Sequence, residues 1–493
     1  MTPLPRPRLL AAALALAVGS ACAGDADATR DLDAELAALA APPGLDDGGL
    51  TNVSADLDAV LERGAIFGAC DRWDAGERDR ETTLLCGKWM FFYGTFRGAG
   101  PPQVLLEMLG RELPASVGHG WSGVGQIPDP YHDGLPLGWA PSYDAARPGG
   151  EPAPIAAMTC AGCHFAQLPD GRYAVGAPNT RFDYGRQLLT LSLLPRLLTG
   201  EPASAHAPEA VAEVQPVLDE LGDDTRQRLL AALVPILQAG VTPPGATDPD
   251  VERAQAGWRP GTLDTFMAPL QPDDGVDIPT RIMALWEIAT DEELAAHGMP
   301  HAMLGWAGGS AGVAEFVDFF VTWFGDREAW PPERQAPLVA FVRSLRRPTP
   351  PAPADQAEVE RGKALFVDSG CLGCHGGPRG GSTRAYGFDE IGTDDALARF
   401  MDPDGDGVPC CGLDAGGGGQ LTRGVKSPRL VGLWAQPRLL HDGAVDGLDG
   451  LFCVTTARPT VTAAGYGDGG HLDLCERFSP GEKAALIAFL ETL

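Results

Sequence analysis

Cys160-Ala-Gly-Cys163-His164 and Cys371-Leu-Gly-Cys374-His375 decide how the rest of this chain is read. Each offers two thiols that can add across the two vinyl groups of a haem, with histidine next in line to ligate the iron from one face. A single such pentapeptide also reads as a redox dithiol. Two of them in a chain with 11 Cys and 9 His, both followed by turn-rich sequence suited to a solvent-facing haem edge, point to two covalent c-type haems. What completes each iron's coordination then decides whether that haem carries electrons or does chemistry.

Working outward, 493 residues suffice for two or three domains with their own cores. The apolar share of 44% is ordinary, but 64 Gly and 44 Pro favour short helices joined by long ordered loops over extended sheets. The expected fold is therefore mainly α: two cytochrome c-like haem domains with few strands. A formal charge of -29 argues against a nucleic-acid or acidic-membrane partner and would attract a small basic electron-transfer protein.

Residues 1–22 read as an export signal: Arg6 and Arg8, an apolar run from Leu9 to Val18, then small residues before Cys22. The run is too short to span a bilayer. The residues before Cys22 also resemble a lipoprotein processing site, with Gly19 where that pattern usually has Leu. The expected location is the periplasm, either free or anchored through a lipid on Cys22. Apart from Cys22 and the haem cysteines, Cys70, Cys86, Cys410, Cys411, Cys453 and Cys475 form an even set suited to disulfides in an oxidising compartment. Cys70 with Cys86 is the simplest local pair. The other four are open to pairing between the 402–420 loop and the last segment, or to a metal site.

Residues 23–52, acidic and rich in Ala and Asp, read as a flexible arm. A first haem domain with helical and loop extensions then occupies 53–347. Helical spacing recurs from Ser54, over Arg80 to Phe96, Pro102 to Leu109, Tyr184 to Leu198, 207–221, 225–239, Ile282 to Ala289, Gly312 to Phe324 and Pro332 to Leu345. Residues 110–154 and 241–280 read as loop and connector; His119 and His132 there are weighed as distal iron ligands against surface or structural roles. The Pro-rich stretch 348–355 is a stiff linker. The second haem domain, 356–493, starts with a helix over Gln356 to Val367 that feeds Cys371. It closes with Ser479-Pro-Gly-Glu482, a capping box with proline in first position, opening a helix to the C-terminus. The acids Asp402, Asp404 and Asp406 alternate before Gly407 as in a calcium loop, although Leu413 stands where such a loop carries its last acid. Calcium and an ion-free acidic turn are both open.

Four segments resemble the bacterial di-haem cytochrome c peroxidase superfamily, and within it the longer branch that includes the di-haem rubber oxygenases. They are Leu135-Pro-Leu-Gly-Trp139 before the first motif, the long spacing between the two motifs, Lys426-Ser-Pro-Arg429-Leu430 leading to Pro437-Arg-Leu-Leu-His441-Asp442-Gly443, and Gly470-His471 before the last helix. The resemblance implies two cytochrome c-like domains with their haems across an interdomain contact and a tryptophan between them. Trp306 is the candidate, although Ala307 replaces the family's usual acid. It also implies His471 as distal ligand of the second haem. His441 is then expected to frame the haem, by donating to a propionate or by locking its turn with Asp442. The first haem has no comparably clear distal ligand: Met158 is too close to Cys160, while His301, His119 and His132 are candidates. An exchangeable site there, binding hydrogen peroxide or dioxygen, is the expectation.

The resulting expectation is a peroxidase-type oxidoreductase with His164 and Trp306 at its working centre. Its second haem, held by Cys371, Cys374, His375 and His471, would take electrons from a small periplasmic donor such as a cytochrome c or cupredoxin. The alternatives are a haem-dependent oxygenase of an apolar substrate and a non-catalytic di-haem electron-transfer protein.

Overall fold

A computed structural model describes residues 48–96, 100–112, 120–144, 153–238, 248–264, 277–299, 302–306, 310–324, 330–351, 355–393, 424–455 and 469–493, with Leu36, Leu39, Gly308, Ala396 and Arg458 as isolated positions. The signal and most of the acidic arm, with Cys22, His119, His301, Cys410, Cys411 and the Asp402-Asp404-Asp406 loop, lie outside the described residues. The described chain is mainly helical with small antiparallel sheets.

The principal elements are α1 (Arg80–Tyr93), α2 (Gln103–Glu112), β1 (Trp139–Asp144), β2 (Ala153–Met158), α3 (Cys160–His164), α4 (Tyr184–Leu198), α5 (Pro208–Glu220), α6 (Asp223–Gln238), α7 (Pro249–Gly257), α8 (Val313–Phe324), α9 (Pro332–Ser344), α10 (Gln356–Asp368), α11 (Leu372–His375) and α12 (Pro480–Leu490). Most begin where the sequence signals a start. The Asp79 side chain caps α1, Asp183 caps α4 and Asp355 caps α10, each accepting orphan backbone N–H groups. Ser479 and Glu482 form the reciprocal capping box of α12, with Pro480 at the first position.

Four expectations are corrected. Ile282 to Ala289 is not helical: Thr280–Arg281 pairs with Thr262–Leu263, and the chain then continues without regular structure through a turn at Trp286-Glu287, its backbone groups bonded to other segments. The connector contains α7, which starts at Asp248-Pro249, and residues 110–154 contain the β1–β2 hairpin. Cys70 pairs with Cys86 as expected, but Cys453 pairs with Cys475 rather than with the 402–420 loop.

Helices α1 and α9 pack together in one apolar cluster with the α3 region, while α4, α5 and α7 pack in another. In the C-terminal part, α10 crosses α12 closely. A Cβ placed on Gly362 would stand 1.9 Å from the Ala485 carbonyl oxygen, so this crossing requires glycine, and Phe366 meets Phe489 edge-on nearby. Gly362→Val should therefore lower unfolding free energy by about 2 kcal/mol. The expected reading is a lower denaturant midpoint at unchanged slope; an unchanged midpoint would show that the two helices do not depend on this contact.

Candidate functional site

The first motif forms the single helical turn α3, which is followed by Phe165–Gln167 in a three-stranded sheet. Just before it, Gly138 packs face to face on the motif. Its backbone carbonyl accepts from Thr159 N at 2.8 Å, and a Cβ at Gly138 would stand 2.1 Å from Gly162 N. The Leu135–Trp139 segment is thus the platform beneath the motif. Burial pushes the Cys160 and Cys163 thiols up to about 12, which disfavours a nucleophilic or redox-active thiolate. None of the four motif cysteines is in a disulfide, whereas Cys70 pairs with Cys86 and Cys453 with Cys475. Beside Cys163 stand Met158, whose sulfur is 3.9 Å away, and a wall of Phe182, Tyr184 and Trp258 in which the last two rings stack at 6.1 Å.

Burial pushes His164 down to about 4, keeping its imidazole neutral with a free lone pair. Its Nδ1 is buried without a well-formed hydrogen bond and is polarised by the Met283 backbone. No second imidazole stands in ring contact with His164 among the described residues.

His375 is different. Its Nδ1 donates to the Gly380 carbonyl at 2.6 Å, which fixes the tautomer and leaves Nε2 for a metal. Burial and the neighbouring His471 push it down to about 4. The two ring centroids are 6.2 Å apart. Two imidazoles bound to one metal from opposite sides, each with a bond of about 2 Å, span roughly this distance. His471 reaches the position from a left-handed backbone (φ 58°) held by the Gly470 N to Gly392 carbonyl bond, a conformation that costs of order 1 kcal/mol for a non-glycine residue.

Between the motifs runs a buried cationic belt. Trp306 Nε1 donates to the Arg281 carbonyl at 2.8 Å, the Trp306 carbonyl accepts from Lys426 N at 3.1 Å, and the Arg281 guanidinium lies 5.3 Å from the Trp306 ring centre. Trp306 thereby ties residues 277–299 to the C-terminal part. Arg429 donates to the Ala284 carbonyl, and Arg379 pairs with Glu293. Burial pushes Arg281 and Arg429 down to about 10. Lys426, only 5% exposed, is pushed down to about 7 by burial and by its like-charged neighbours Arg429 and Arg281. A buried lysine beside two guanidiniums would be offset by an anionic ligand or by loss of its own proton. Haem carboxylates would be such a ligand, and the donor set of the two motifs fits the same group.

The other sequence candidates fall as follows. His441 is buried, and its carbonyl accepts from Arg281 N. Asp442 locks their turn by accepting from Ala444 N and pairs with Arg259. His132 is bonded through Nδ1 to Asp129 and faces away from α3. The belt was not identified from sequence. Lys426 and Arg429 were visible only as parts of a resembling segment, and Arg281 stood just before a stretch expected to be helical.

No protein-family model matches this chain, and no curated protein matches it. Among solved structures, a chain of Kuenenia stuttgartiensis hydrazine synthase is similar at 21% identity and a TM-score of 0.27, covering 48% of this chain and 78% of that one. No helix among the described residues is long and apolar enough to cross a membrane.

The Lys426 environment is testable. Unfolded lysine keeps its proton up to the ordinary 10.5, whereas the folded group loses it near 7. Between these values the unfolded chain holds more protons, so without a bound anion stability rises with pH across that window. Lys426→Met should abolish the rise in a denaturation series from about pH 7 to pH 10; a slope that survives the substitution would assign it to another group.

Proposed function

We propose that this chain is a di-haem c-type oxidoreductase that reduces hydrogen peroxide. Cys160, Cys163 and His164 would hold the reacting haem, and Cys371, Cys374, His375 and His471 the electron-collecting one. The observation that carries this reading is the unequal setting of the two motif histidines. His375 has its Nδ1 engaged by Gly380 and the His471 ring beside it, whereas His164 has neither kind of partner among the described residues. Haem supplies a one-electron change at iron and, where a coordination position is open, a place for a small oxidant to bind.

The chain's own residues account for the rest. Gly380 orients His375 and strengthens its Nε2 as a donor. Arg281, Lys426 and Arg429 would neutralise haem carboxylates, with His441 framing the same region. Trp306 joins the Arg281 and Lys426 segments and would pack between the centres or pass an electron. Phe182, Tyr184 and Trp258 keep water from the first motif. The acidic surface would steer a small basic donor, such as a cytochrome c or cupredoxin, in an exported setting. That aromatic wall also favours a second reading, an oxygenase acting on an apolar substrate at the same haem. The likeness of the quoted segments to the di-haem peroxidases and rubber oxygenases supports both.

His471→Ala should convert a low-spin haem to high-spin in the oxidised optical and paramagnetic-resonance spectra. An unchanged spectrum would remove His471 as a ligand, and wild-type protein with both haems low-spin and unreactive towards cyanide would leave only electron transfer. Trp306→Phe should leave both haems attached and slow electron exchange between them; an unchanged rate in flash photolysis would remove the relay.

A further inference from the structure

Beside Ala140 and Pro141 of the β1–β2 hairpin, a cavity of about 810 Å³ opens between α1 and the start of α9. Its volume suits a small organic ligand. Neither haem-binding motif contributes to its lining. Phe67, Trp73, Trp89, Tyr93 and Trp330 form aromatic walls, and His132 projects from one side.

His132 belongs to a built dyad. Its Nδ1 donates to Asp129 Oδ2 at 2.8 Å, and the fully buried Asp129 side chain also accepts from Tyr93 OH at 3.2 Å and Tyr131 N at 2.8 Å. A carboxylate only accepts, so the ring proton sits on Nδ1 and Nε2 is the group offered to the cavity. The arrangement is that of an oriented base beside an aromatic surface. At the rim, Arg78 stacks on Trp73 and Arg334 on Trp330, at 3.6 Å and 4.0 Å from the ring centres. Asp74 and Glu333 lie on the same rim and offset them. The cleft therefore offers aromatic contact and one hydrogen-bonding nitrogen, with no net charge to attract an anion.

We propose that this cleft binds a neutral phenolic compound, its ring against Trp89 and Tyr93 and its hydroxyl on His132 Nε2. A phenol fits either state of the dyad: neutral imidazole accepts its proton, and imidazolium donates to its oxygen. The proposal stands independently of the peroxidase reading, because it uses no residue of the haem sites.

Calorimetric titration of the full haem-loaded chain at about pH 9, where histidine is neutral and phenol still protonated, uses 4-ethylphenol and its methyl ether as probes. The phenol should bind saturably and about fivefold more tightly than the ether, as expected for one hydrogen bond. His132→Phe should erase that preference, and Thr95→Trp, which fills the cleft from another wall, should abolish binding of both. Absence of saturable binding, equal affinities in the wild type, or a preference that survives His132→Phe would each overturn the proposal. Undiminished binding in Thr95→Trp would do the same even if the His132 variant failed to fold.

Discussion

The non-helical segment from Ile278 to Ile288 is the constraint on which the arrangement depends. Within a few residues it donates Arg281 N to His441 O, gives the Arg281 carbonyl to Trp306 and the Ala284 carbonyl to Arg429, and bonds Leu285 N to Gly176 O. Trp286 then sends its indole N–H to Val175 O, and Glu287 N bonds Leu345 O. A helix would spend these backbone groups internally. Because the segment is not helical, each remains available to join the surroundings of the first motif to the C-terminal part.

The same segment explains the position of the charges. Arg281, Lys426, Arg429 and Arg379 converge there, while Glu287 and Glu293 pair with Arg347 and Arg379 and leave Lys426 facing cations. Buried charge persists where something compensates it. Asp442 beside Arg281 and Glu287 beside Arg429 offset part of this cationic concentration, and burial lowers the proton affinity of the rest.

The motif histidines illustrate how identical local sequence acquires different chemistry. Both rings are kept neutral by burial. Among the described residues, only His375 has its Nδ1 engaged by a nearby carbonyl and a second imidazole beside it. That second imidazole arrives from nearly a hundred residues downstream on a left-handed turn, a cost in backbone energy that serves presentation of the ring. His132 shows the converse: a histidine that local sequence left open as an iron ligand is committed to Asp129 and to a separate cleft.

Local signals determined a large part of this protein. The two Cys-x-x-Cys-His motifs, the Tyr184–Leu198 helix, the Cys70–Cys86 pair and the capped C-terminal helix were legible because caps, periodicity and short-range spacing act within a few residues. The Gly138 platform was legible as a motif, though not as the close contact that requires glycine. Tertiary structure alone decided that 282–289 is not helical, that Cys453 joins Cys475, that Arg281 and Lys426 meet around Trp306, and that His132 belongs to a dyad. Each of these depends on partners distant in sequence or on burial, and propensity and periodicity carry no information about which distant group will satisfy a buried backbone, charge or imidazole.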